Sequence, residues 1–189
     1  EYAESIHRSY SDLNLIVCHL GGGISIGAHL KGRIIDVNNA LDGEGPFSPE
    51  RSGQLSNFMV LDLVESMNDI KAIRRMLAGK SGLVSHLNTN SMIDAVKLAE
   101  TDEYAYNVIE AMIYQIAKQV GSMAAVLKGK VDQILITGGL AYNKVFVQKI
   151  IEYIDWISGV SVYPGEDELH ALASGAYRYL TKQESLKEY

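Results

Sequence analysis

The chain of 189 residues carries one cysteine, three prolines and one tryptophan. It has no apolar run long enough to cross a bilayer. Each shortage removes a class of protein. A single cysteine builds no disulfide framework, and Cys18 lies inside an apolar run where a small core side chain is expected. A reducing, cytoplasmic setting is therefore the natural expectation. Scarce proline beside 47% apolar residues speaks against a disordered tail. Positive charge is also short, with 17 Lys and Arg against 23 Asp and Glu, a formal net charge of −6. Without a basic stripe, nucleic acid is not an expected partner, and neither is a membrane. A phosphorylated or otherwise acidic ligand would need a local cluster of donors in place of a global field. The opening residues, Glu1-Tyr2-Ala3-Glu4, do not read as a signal peptide.

Glycine, in contrast, is placed where it can act. Gly21-Gly22-Gly23 separates the nearly continuous apolar run Asn14–Leu20 from the alternating run Ile24–Leu30. The first run reads as a central strand covered on both faces, and the second, apolar at Ile24, Ile26, Ala28 and Leu30, as a strand of period two. The glycines therefore form a hairpin tip, which excludes a dinucleotide fingerprint, where a helix must follow the glycine turn. Backbone without side chains at such a tip can bring its N–H groups against phosphate oxygens. Gly79-Lys80-Ser81 resembles the end of a P-loop, but Arg74 stands where the leading glycine is required.

After the turn Lys31-Gly32, Arg33–Asn38 completes an antiparallel three-strand meander. A loop rich in glycine and proline follows from Asp42 to Gly53, and ordered loops of this length are often functional. From about Phe58 to Lys128 the period becomes helical, most clearly through Ile109, Met112, Ile113, Ile116, Val120, Met123 and Leu127. That methionine-bearing stripe reads as core. The tail alternates again: a strand Val131–Thr137 closed by Gly138-Gly139, a helix near Val145–Trp156, a strand Val160–Tyr163 and a last helix. That helix carries Leu169, Leu172, Ala173, Ala176, Tyr177 and Leu180 on one side. The predicted class is α/β, with a mixed sheet in the order three strands, helices, strand, helix, strand, helix.

That order resembles the ribonuclease-H-like, actin-like ATPase domain of sugar kinases, actin, heat-shock chaperones and acyl-phosphate kinases. The motifs narrow the likeness. His19-Leu20-Gly21-Gly22-Gly23-Ile24-Ser25 is similar to the phosphate motif of acetate and butyrate kinases. The segment from Asp36 to Gly53 resembles the butyrate kinase form, as does Met112–Gly121 running on through Ala124–Leu127. Thr137-Gly138-Gly139-Leu140-Ala141-Tyr142 looks like the adenosine motif, and Pro164–Leu169 like the acidic motif near the C-terminus. The likeness runs from about Asn14 to Arg178.

The resemblance implies transfer of the ATP γ-phosphoryl group, with Mg²⁺, to butyrate or a similar short-chain carboxylate, giving an acyl phosphate and ADP. It implies that His19 and Arg51 stabilise charge in the transition state, and that Gly21, Gly22 and Gly23 hold phosphate. Asn90, Gly138, Gly139 and Leu140 would bind the nucleoside, and one of Glu166, Asp167 or Glu168 would meet the metal. Acidic residues in a first helical turn are favoured by the helix dipole whatever their function. Family members have two such domains with the active site between them. This chain would be the C-terminal one, residues 1–189, with a helical insertion over about 56–128 and no N-terminal counterpart. Homodimerisation through this domain is a further implication, with the helical insertion as the surface. Two positions depart from the pattern: Ser91 stands where an aspartate is usual and Ile93 where an arginine is. The segment Gln54–Met59 also lacks the proline common after the arginine motif. Open alternatives are a kinase of acetate, propionate, a branched acid or a sugar, and a non-catalytic scaffold with weakened nucleotide affinity.

Overall fold

The apolar run Asn14–Leu20 forms β1, the middle strand of a five-stranded sheet in the computed structural model, which describes residues 1–165 and 168–182. A short helix, α1 (Tyr2–Ser5), precedes it. On one side β1 pairs antiparallel with β2 (Ile24–Leu30), which pairs antiparallel with the edge strand β3 (Arg33–Val37). The turn between β2 and β3 has Lys31 and Gly32 both at positive φ, the geometry that matches the twist of a tight hairpin. On its other side β1 runs parallel to β4 (Gln133–Gly138), and β4 parallel to β5 (Val160–Pro164). The order is thus β3-β2-β1-β4-β5.

Between β3 and β4 the chain is helical, with α2 (Asn57–Met67), α3 (Ile70–Gly79), α4 (Gly82–Leu87), α5 (Met92–Ala99) and the 24-residue α6 (Glu103–Val126). Capping explains several starts. Ser56, Asp69, Ser91 and Asp102 each accept a backbone N–H from the first turn of the helix they precede. Helix α7 (Lys144–Ile154) joins β4 to β5 and is capped by Asn143, while α8 (Glu168–Leu180) follows β5.

The core lies on one face of the sheet. Ile16, Cys18, Leu20, Ile24, Ile26, Ala28, Ile134 and Ile136 meet the stripe of α6, with Met112, Ile113, Ile116 and Val120 fully buried, and the inner side of α7. The methionine stripe is core, as its spacing predicts. Two apolar surfaces are not covered. Helix α2 has no buried residue and leaves Phe58 77% exposed. The apolar side of α8 is likewise open, with Leu169 at 82% exposure and Leu172, Tyr177 and Leu180 also exposed. Its period is helical as expected, but among the described residues that side faces no core.

Cys18 is 1% exposed, and burial pushes its thiol up to about 12. At pH 8 the thiolate fraction is then on the order of one in ten thousand. Native protein should resist Ellman's reagent at that pH and react fully once unfolded in guanidinium. Rapid labelling of the native state would contradict this packing.

Candidate active site at the strand ends

The carboxyl ends of the parallel strands β1, β4 and β5 converge at one edge of the sheet, the place where open α/β sheets commonly bind ligands. At the end of β1 stands His19, half-buried and paired across the sheet with Ser25 on β2 and Thr137 on β4. The glycine tip follows, closed by the Gly21 N–H donating to the Gly23 carbonyl at 3.1 Å. None of the three glycines has a left-handed φ. The hairpin therefore does not need glycine for its backbone conformation.

What needs glycine is a close approach. A Cβ on Gly23 would lie 2.6 Å from Arg51 Cζ and nearer still to Nη1. The guanidinium thus rests directly on the hairpin tip. A Cβ on Gly22 would stand 4.0 Å from Glu50 Oε2, so a carboxylate flanks the same tip.

The loop carrying Arg51 is held from three sides. Ser48 Oγ donates to the Gly22 carbonyl at 2.6 Å and accepts the Arg51 N–H at 3.1 Å. The first turn of α4 faces it from behind: Leu83 and Val84 donate their N–H groups to the carbonyls of Ser48 and Pro49. Those donors would otherwise be unpaired at the helix start. Gly82, at φ +61, allows this contact, because a Cβ there would collide with Ser48 O. Gln115 on α6 accepts the Phe47 N–H at 3.1 Å. Asn38, only 7% exposed, continues the pairing of β2 after β3 ends: it accepts from the Ile26 N–H and donates to the carbonyls of Ile24 and Glu44.

The second wall is the β4 end. Gly138 adopts φ 97 and ψ 171, a region open essentially to glycine alone, and a Cβ there would lie 2.6 Å from Leu20 C and nearer to Leu20 O. Gly138 and Gly165 exchange backbone hydrogen bonds, which locks the ends of β4 and β5 together. The turn Gly139–Tyr142 leads into α7, and a Cβ on Gly139 would meet nothing within 4 Å. That open side faces a cleft of about 600 Å³ lined by Gly139, Leu140, Asn143, Ser91, Met92 and Ile93, among others.

Asn90 donates to Glu50 Oε1 at 2.8 Å, which links the 88–91 turn to the Arg51 loop. Ser91 Oγ caps α5, and Ile93 is 76% exposed. His19, Gly21, Gly22, Gly23, Arg51 and Asn90 are thus gathered around one strand edge, and Gly138, Gly139 and Leu140 around its neighbour. Glu166, Asp167 and the side chain of Glu168 lie outside the described residues. No group of three or more His, Cys, Asp or Glu side chains fit for a metal occurs among the described residues. A nucleotide-borne Mg²⁺ would not require one, since it is held by phosphates, water and one or two carboxylates. Ser48, Gly82 and Asn38 escaped the sequence reading, because their parts depend on which loop folds over the hairpin.

Comparison with known families settles the lineage. A model of the acetokinase family matches residues 1–183. The chain belongs to that family. Among solved structures it resembles an acetate kinase from Porphyromonas gingivalis, with a TM-score of 0.83 and 23% identity, covering 95% of this chain and 52% of that one. A propionate kinase from Francisella tularensis subsp. tularensis SCHU S4 gives a TM-score of 0.77 and 25% identity over 88% of this chain and 49% of that one. An acetate kinase from Entamoeba histolytica gives 0.81 and 20% over 95% and 55%. The fold of this acetokinase-family chain is therefore that of the actin-like ATPase domain, as the order of elements predicts. The chain spans about half the length of these relatives.

Gly138→Ala should lower stability by at least about 2 kcal/mol, from the disallowed backbone and the collision with Leu20 combined. Urea unfolding measures this. Gly139→Ala, whose Cβ meets open space, is expected to unfold within about 1 kcal/mol of the parent.

Proposed function

We propose that this chain is the C-terminal, nucleotide-binding half of a carboxylate kinase of the butyrate kinase kind. The observation that carries the reading is the Arg51 guanidinium seated on Gly23 at the end of β1, with a cleft lined by Gly139 and Leu140 following the end of the neighbouring strand β4. Motif form supports butyrate kinase within the family, chiefly the Asp36–Gly53 segment.

In the parent reaction a carboxylate oxygen attacks the γ-phosphorus of ATP in line, and the bond to the β,γ-bridging oxygen breaks. An acyl phosphate and ADP result, and no proton changes hands. Such a transfer asks the protein chiefly for positioning and for positive charge around the equatorial oxygens. Arg51 provides a planar fork of donors that stays charged at any working pH. His19, at the end of β1, adds a ring N–H at the same edge, and the glycine tip admits phosphate to the backbone. Adenosine would lie in the 600 Å³ cleft against Gly139 and Leu140, with Gly138 and Asn90 each one residue along the chain from its lining. Magnesium would enter with the nucleotide, met by a carboxylate of the 166–168 segment, and would neutralise charge on the phosphates.

An N-terminal domain would close the cleft, carry the carboxylate substrate and set its identity; the open side of α8 suits a covering domain. A second copy would bind through the exposed apolar residues of α2 and its neighbours, giving a homodimer. The reaction would take place in the cytoplasm.

One observation favours a second reading. Ser91 spends its hydroxyl on capping α5, and Ile93 presents an alkyl side chain to the cleft, where the family pattern has aspartate and arginine. A scaffold that keeps the fold with little nucleotide affinity would have these features. Calorimetric titration of the chain with Mg·ATP decides between them. One-site binding is expected, weakened about tenfold or more by Arg51→Ala, as loss of a charge-assisted contact predicts. Absence of binding would favour the scaffold. In a hydroxamate assay with butyrate the 189-residue chain alone should form no acyl phosphate, and turnover by it would refute the half-enzyme reading.

A further inference from the structure

We propose that Ser48 is a positioning residue of the phosphate site, the side chain that fixes Arg51 against the glycine hairpin. The inference rests on the functional reading of Arg51 given above. Ser48 is 1% exposed, in a loop whose neighbours Glu50 and Arg51 lie against the glycine tip. Its hydroxyl works in both directions: the O–H donates to the Gly22 carbonyl at 2.6 Å and the oxygen accepts the Arg51 N–H at 3.1 Å. The Ser48 N–H in turn donates to the Arg51 carbonyl at 3.1 Å, so residues 48 and 51 are bonded to one another twice.

The chemistry of this position is narrow. A hydroxyl is the smallest group that donates and accepts at once. An ionised aspartate could accept the Arg51 N–H as a turn residue does, but it would set a charged acceptor against the Gly22 carbonyl. Alanine would leave that carbonyl and that N–H without the partner both now share.

The consequence falls on Arg51. A long side chain reaches a fixed point only if its backbone origin is fixed, and an error near 1 Å in a reacting site costs about a hundredfold. The contacts from α4 hold the back of the loop, through Leu83, Val84 and the close approach at Gly82. The Ser48 hydroxyl joins its front to the hairpin. Loop and tip are therefore set in register by one buried oxygen.

A double-mutant cycle tests this in the 189-residue chain, with inorganic tripolyphosphate as the probe and adenosine as the control, both read by calorimetry. Ser48→Ala is expected to weaken tripolyphosphate binding about tenfold and leave adenosine binding within about twofold. In an Arg51→Ala background, Ser48→Ala should add less than about twofold, because its effect passes through the arginine. Circular dichroism and urea unfolding check the fold. If Ser48→Ala does not fold, Ser48→Cys, close in size but a weak donor and acceptor, takes its place in the same cycle. Ser48→Thr, which keeps the hydroxyl, should restore tripolyphosphate binding. Additive losses, or a Ser48→Ala effect equal on tripolyphosphate and adenosine, overturn the inference. If Arg51→Ala itself leaves tripolyphosphate binding unchanged, the reading of Arg51 fails, and the inference falls with it.

Discussion

A guanidinium lying on a glycine is the contact around which this structure is organised. Arg51 occupies the volume where Gly23 would carry a Cβ, so a larger residue at position 23 would make the guanidinium shift. The sheet supplies the tip, because the end of β1 is where its antiparallel and parallel halves meet. The helical region supplies the arginine, because α4 and α6 hold the Asp42–Gly53 loop over that end. Neither part makes a site alone. Together they place a fixed positive charge at the edge of a protein whose net charge is negative, which is the local arrangement an anionic ligand requires.

Much of this was legible in advance. The glycine triplet, flanked by one continuous and one alternating apolar run, fixed the meander and the tip, because β-strand periodicity and tight turns are local properties. The stripe from Ile109 to Leu127 was equally plain, since α6 buries it against the sheet. The motifs led to the acetokinase family, and the family match bears that out. Less legible were the residues whose task depends on distant partners. Ser48 reads as an ordinary loop serine until Gly22 is seen beside it. Gly82 looks like a helix start, and only its approach to Ser48 explains it. Asn38, read as the end of a strand, continues that strand with its side chain after the backbone has turned away.

The three tip glycines also show why a motif underdetermines its physical reason. Three glycines in a row suggest conformational demand, yet none of them sits at a left-handed φ. Gly23 answers a demand for space above the backbone, whereas Gly138 answers both demands at once. Substrate choice is less legible still. The relatives include acetate and propionate kinases, and this chain spans about half of each. Its described surface leaves apolar faces uncovered on α2 and α8.

The most direct measurement is an amide and guanidinium shift map of the chain by NMR as Mg·ADP is added. The account predicts that the backbone signals of Gly22 and Gly23 and the Arg51 Nε–H move together, saturating with those of Gly139 and Leu140. Saturable binding that leaves the glycine tip and Arg51 unmoved while shifting signals elsewhere would contradict it.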